Sequence, residues 1–184
     1  IAISLLPGDE LISVQLTNGD DQVLIGTHEG KCIRFSENDV RAMGRDTQGV
    51  RSIDLDDGDY VIDMTKVQPD DTIITITSNG YGKRSSIEEY RLQSRAGKGI
   101  RAGIFNEKTG YLVGIKPVRE GEDIMMISDT GIAIRTSVDE ISLISRDTQG
   151  VKVMRLDGAS IATIAITPHE DEEELAEGAE GEED

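Results

Sequence analysis

The hexapeptide RDTQGV is written twice, at Arg45–Val50 and again at Arg146–Val151. Identical copies so far apart point to tandem repetition, and a third, divergent copy, "SRAGKGI" at 94–100, stands midway between them. Extended outward, the three copies give the frames "GKCIRFSENDVRAMGRDTQGV" (30–50), "GYGKRSSIEEYRLQSRAGKGI" (80–100) and "GIAIRTSVDEISLISRDTQGV" (131–151). Each frame has Gly at its first position, Arg at +4, Arg at +15 and Gly at +19. These are Gly30, Arg34, Arg45 and Gly49; Gly80, Arg84, Arg95 and Gly99; and Gly131, Arg135, Arg146 and Gly150. Ahead of them, "AISLLPGDELISV" (2–14) aligns without a gap on "SIDLDDGDYVIDM" (52–64). The expected organisation is a partial unit at 1–20, repeats at about 21–70, 71–120 and 121–168, and a tail at 169–184. Further units are expected upstream.

Within a unit, apolar and polar residues alternate in short runs between turn signals. "QVLIGT" and "KCIRFS" flank "HEG", and "TIITITS" and "GKRSSI" flank Asn79-Gly80, a pair that tolerates the positive φ of a tight hairpin. "VRSIDL" and "YVIDMTKV" follow across "DDGD" and complete four expected strands per unit. Four strands in about 50 residues, iterated, are the signature of propeller blades. Abundant Ile, Val, Thr and Gly with only two Phe and no Trp suits an all-β chain. Repeated glycines are expected to meet backbone requirements rather than to bind ligands.

Catalytic chemistry finds little support. His28 and His169 are the only histidines, and Cys32 is the only cysteine, so no zinc-ligand cluster is written. His28 is expected in a solvated turn, and Cys32 in the core. The Gly-Lys pairs lack the frame of a phosphate-binding loop. A single cysteine and the absence of a long apolar run fit a cytoplasmic chain with no membrane span. No metal or cofactor is expected in this chain.

Charge is segregated. The formal net charge is −17, and the tail 169–184 holds ten acids and no Lys or Arg, which leaves 26 acids against 19 bases and a net of −7 for residues 1–168. The tail is too polar to fold and is expected to be disordered. Lys83 to Arg101 carries six bases against two acids. A base-rich segment in every unit would lay a basic track along one rim, suited to a bent polyanion. The expected contacts are Lys31, Arg34, Arg41, Arg45, Lys83, Arg84, Arg91, Arg95, Lys98, Arg101, Arg135 and Arg146, with phosphate, in a sequence-tolerant way. The six arginines at repeated positions have a structural alternative, pairing with turn carboxylates.

The stretches "VRAMGRDTQGVR", "NGYGKR" and "ISDTGIAIRTSVDEISLISRDTQGV", followed by an acidic tail, resemble the C-terminal domain of DNA gyrase A. That resemblance implies a β-pinwheel, a propeller-like ring whose blades exchange strands. It also implies double-stranded DNA wrapped on the rim, in support of ATP-dependent negative supercoiling. The partners it implies are the rest of gyrase A, together with gyrase B, in a heterotetramer, and ATP and Mg belong only to that parent complex. "QSRAGKG" (93–99) matches the family's box at Gln93, Arg95, Gly97, Lys98 and Gly99 alone, and is read as a degenerate blade copy. None of Tyr60, Tyr81, Tyr90 and Tyr111 has the setting of a strand-cleaving tyrosine. The matching DNA-bending domain of topoisomerase IV and a propeller that binds proteins stay open as alternatives.

Overall fold

The computed structural model describes residues 3–169. Its strands in chain order are β1 (Gln22–Thr27), β2 (Lys31–Ser36), β3 (Val61–Val67), β4 (Thr72–Thr77), β5 (Tyr81–Ser86), β6 (Ile100–Arg101), β7 (Leu112–Val118), β8 (Glu122–Ser128), β9 (Ala133–Ser137), β10 (Val151–Lys152) and β11 (Ile161–Pro168). Single 3₁₀ turns follow β2, β5 and β9, each capped by the serine that ends the strand: Ser36, Ser86 and Ser137. The described residues contain no α-helix. The fold is all-β, as the repeat patterning requires.

Three small antiparallel sheets form, ordered β3-β1-β2-β6, β7-β4-β5-β10 and β11-β8-β9. The central hairpin of each is closed by the first glycine of the frame, and Gly30, Gly80 and Gly131 have φ of +87°, +79° and +84°. β6 and β10 do not join the blade of their own repeat. β6 belongs to the second repeat and pairs with β2 of the first; β10 belongs to the third and pairs with β5 of the second. Strands are therefore exchanged between neighbours, and the chain is a β-pinwheel of blades. "VRSIDL" at 50–55, expected as a strand, is not one. Its counterparts complete the preceding blade's sheet, and no blade precedes the first among the described residues.

The glycine at +19 permits the exchange. A Cβ on Gly99 would run into the Cys32 carbonyl oxygen, and one on Gly150 would stand 2.6 Å from that of Gly82. Side chains there would push the incoming strand off the blade edge.

The core lies between blades. β1 and β4 are buried along most of their length because both faces are covered. Leu24, Val67, Ile73, Leu112 and Ile115 join the first blade to the second. Ile74, Ile76, Ile124, Met126 and Ile164 join the second to the third. At about 1.5–3 kcal/mol for each fully buried aliphatic side chain, these contacts dominate blade stacking. Residues 3–20 carry no strand, though the Ser4 amide donates to the Thr47 carbonyl at 3.2 Å. Of the acidic tail, only His169 lies within the described residues; its Nδ1 is 2.8 Å from Asp123 Oδ1.

Candidate nucleic-acid interface

The arginines at +4 and +15 tie blades together. Arg34 Nε donates to Gln22 at 2.6 Å, and its Nη1 reaches the carbonyls of Ile87 and Tyr90 in the next blade at 2.9 and 3.1 Å. Burial lowers the Arg34 pKa from its usual value. Arg84 repeats the arrangement, with Nε to the Ile141 carbonyl at 2.7 Å and Nη1 to Asp139 at 3.2 Å. Arg135 bonds Asp123 at 2.7 Å and the Pro168 carbonyl at 2.8 Å. The +15 arginines reach backwards. Arg95 donates to the Asp39 and Arg51 carbonyls, and Arg146 to those of Glu89 and Arg101. Arg34, Arg84, Arg95, Arg135 and Arg146, expected among the DNA contacts, are half-buried and direct donors to protein carbonyls and carboxylates, which is the structural alternative that their repeated positions offered. Arg45, at +15 in the first unit, is exposed and makes no hydrogen bond or ion pair among the described residues.

Lys83 is a second correction. Only 2% of it is exposed. Its Nζ donates to the carbonyls of Arg146, of Thr148 at 3.0 Å and of Ser145 at 3.3 Å. Burial first, then the nearby Arg146 guanidinium, push its pKa down to about 8, which leaves an ammonium at pH 7. Three N–H donors meet three acceptors, and no phosphate can reach them.

Exposed bases recur at two other frame positions. At +21 stand Arg51, Arg101 and Lys152, all exposed, with side-chain exposures of 70% for Arg51 and 66% for Arg101. β6 and β10 are the outermost strands of their sheets, so Arg101 and Lys152 sit on the rim. Arg101 pairs in register with Lys31, and Lys152 with Tyr81. The Lys152 and Lys108 ammonium groups lie 4.9 and 5.7 Å from the centre of the Tyr81 ring. At +11, Arg41 and Arg91 are exposed and make no hydrogen bond or ion pair among the described residues. Sequence reasoning passed over Arg51, Lys108 and Lys152. A base two residues after the +19 glycine in all three frames was the signal for two of them.

Acids stand among these bases, which departs from the expected segregation. Lys31 pairs with Asp56, Lys98 with Asp54 at 3.0 Å and Asp56 at 3.4 Å, and Arg101 with Asp147 at 2.9 Å. Hydrogen bonds from Lys31 and then Lys98 lower the Asp56 pKa, and those to Asp54 and Asp56 raise that of Lys98. Exposed pairs of this kind are weak, and an incoming phosphate can replace the carboxylate partner.

The remaining chemistry is structural. Cys32 is fully buried, and burial pushes its thiol up to about 12, which suits a core residue and not a nucleophile. His28 lies in the hairpin turn, as expected, but is half-buried rather than freely solvated. It is stacked between Tyr60 and Tyr111, with centroids at 4.6 and 4.2 Å. Tyr90 is buried, and its hydroxyl pKa is raised by that burial. Among the described residues no cluster of His, Cys, Asp or Glu could hold a metal, and no helix is long and apolar enough to cross a membrane.

Comparison with known proteins agrees with this geometry. Residues 21–68, 71–119 and 122–168 each match the family described as DNA gyrase C-terminal domain, beta-propeller. DNA gyrase A of Escherichia coli K12 is 48% identical over 155 residues, which are 84% of this chain and 18% of the relative. The gyrase A of Staphylococcus epidermidis ATCC 12228 is 42% identical over 175 residues, or 94% of this chain and 20% of the relative. The chain thus spans about a fifth of the length of these relatives. A solved gyrase A C-terminal domain superposes with a TM-score of 0.84 at 27% identity, over 91% of this chain and 57% of that one. The C-terminal domain of a DNA topoisomerase IV superposes at 0.86 over 100% of this chain and 58% of that one; at 22% identity this likeness concerns the fold alone.

Proposed function

Because the chain belongs to the DNA gyrase C-terminal domain family, we propose that it binds double-stranded DNA along the blade rim and bends it. It would do so as part of a gyrase A protein that works with gyrase B in ATP-driven negative supercoiling in the cytoplasm. The observation that carries this reading is the base at +21 of every frame: Arg51, Arg101 and Lys152. Two of the three lie on exchanged outer strands. Lys31, Lys98 and Lys108 flank them, and Arg41 and Arg91 add bases at +11. With no recognition helix among the described residues, the contacts are to phosphate, and sequence preference is low. The chain needs no cofactor of its own, and ATP and Mg belong to the parent complex.

The test is binding to a long duplex titrated with salt. Log affinity should fall with log salt by about 0.9 for each phosphate contact. The triple variant R51E/R101E/K152E should lower the affinity and flatten that slope while the blades stay folded. A salt-independent affinity would overturn the reading in favour of a protein-binding propeller.

A further inference from the structure

In the two frames that a following unit covers among the described residues, the residue at +3 matches the loop laid over it. These residues are Ile33 and Lys83, and the third frame carries Ile134. The loop over Ile33 is Arg95–Gly99, RAGKG, in which Ala96 has φ of +67° and the Cβ position of Gly97 is 3.9 Å from Ile33 Cδ1. The loop over Lys83 is Arg146–Gly150, RDTQG, which together with the preceding Ser145 turns three carbonyls onto the ammonium. Asp147, in the place of Ala96, keeps a negative φ, so the two loops are different backbone shapes.

Arg45–Gly49 is again RDTQG, and it has the second shape. Thr47 Oγ1 donates to the Gly44 carbonyl at 2.8 Å, as Thr148 Oγ1 does to the Ser145 carbonyl at 2.8 Å. Gly49 has φ of +83° against +80° for Gly150, and Asp46 stays at negative φ. One flank is also built alike: Ser4 donates to the Thr47 carbonyl at 3.2 Å, as Ile104 does to the Thr148 carbonyl at 3.0 Å. This first copy lies open to solvent. We infer that the loop 44–49 is an ammonium receptor, and that its ligand is a lysine at +3 of a preceding blade of the same architecture. The carbonyls of Gly44, Arg45 and Thr47 receive its three N–H donors. Two further features of the first unit face the same blade. Arg45 has the +15 position whose counterparts bond the preceding blade's carbonyls, and Val50-Arg51 has the place of β6 and β10. The relatives, about five times as long as this chain, have room for such a blade.

The inference rests on the repeat and not on DNA binding, so each can fail alone. The test uses the longer protein that carries the preceding unit. Its sequence should show lysine three residues after that unit's hairpin glycine. Amine labelling followed by mass spectrometry should find that lysine and Lys83 modified at least about tenfold more slowly than exposed Lys98, because both require local opening. Any other residue at that position, or labelling there as fast as at Lys98, overturns the inference. Protection that appears only on dimerisation does so too, since it would place a second copy in the loop.

Discussion

Lys83 shows at the scale of one residue how burial redirects a charge. It sits where the neighbouring frames carry Ile33 and Ile134, and the loop above it supplies carbonyls in place of apolar contacts. K83I should therefore cost about 1–3 kcal/mol, the penalty for leaving acceptors without donors, although isoleucine suits the same strand position elsewhere. Urea unfolding measures this. The lysine also leaves a mark on pH dependence. Its folded pKa of about 8 lies below the ordinary lysine value of 10.5, so the unfolded chain binds more protons between those limits. Its contribution makes stability rise with pH across that window. Cys32 acts the other way from pH 9, since its folded pKa is raised to about 12. The wild type minus K83I difference should thus climb between pH 8 and 9 and continue toward 10.5, and a flat difference would show that Lys83 is not held as described. Sequence reasoning counted Lys83 among the phosphate contacts because it stands in the base-rich segment Lys83 to Arg101. Only the loop carbonyls, contributed from 62 to 65 positions away, make an interior lysine tolerable.

At the scale of the element, the exchanged strand and its arginine act as one fastening. Arg146 reaches carbonyls on both sides of the strand boundary, at Glu89 and Arg101, and Gly150 lets the chain close onto β5. R146A should cost about 1–2 kcal/mol, the net worth of charge-assisted hydrogen bonds that are partly exposed. R45A, at the same frame position, should stay within about 0.5 kcal/mol because Arg45 is a surface residue here. Equal losses in the two variants, read from denaturant midpoints, would contradict the assignment of Arg146 as a tie. The hairpins were legible in advance, from Asn79-Gly80 and from alternation in "TIITITS". The destination of "IR" at 100–101 and "VK" at 151–152 was not. Periodicity marks a strand, but sheet edges from different repeats offer it the same hydrogen bonds. The six repeated arginines were legible as a pattern and ambiguous as a role. The partners of the five that bond, all but Arg45, are mainly backbone carbonyls, which no side-chain identity betrays.

Over the whole molecule, a basic rim has to work against an acidic chain. The full sequence carries −17, and removal of 170–184 takes away ten acids to leave −7. The cut falls after His169, so the contact of that histidine with Asp123 is kept. If the tail competes with DNA for the rim, truncation should raise affinity most at low salt. The gain should then shrink as the Debye length falls from about 10 Å at 0.1 M to about 3 Å at 1 M. The salt slope of the truncated chain should also be steeper, because phosphates no longer displace a tethered polyanion that itself releases no counterions to bulk. Fluorescence anisotropy on one duplex at three salt concentrations is enough. Equal affinities at the lowest salt would make the tail a passive extension. Rim bases would then be held back only by the local carboxylates of Asp54, Asp56 and Asp147, and D56N should reproduce the gain that truncation failed to give, since Asp56 touches both Lys31 and Lys98.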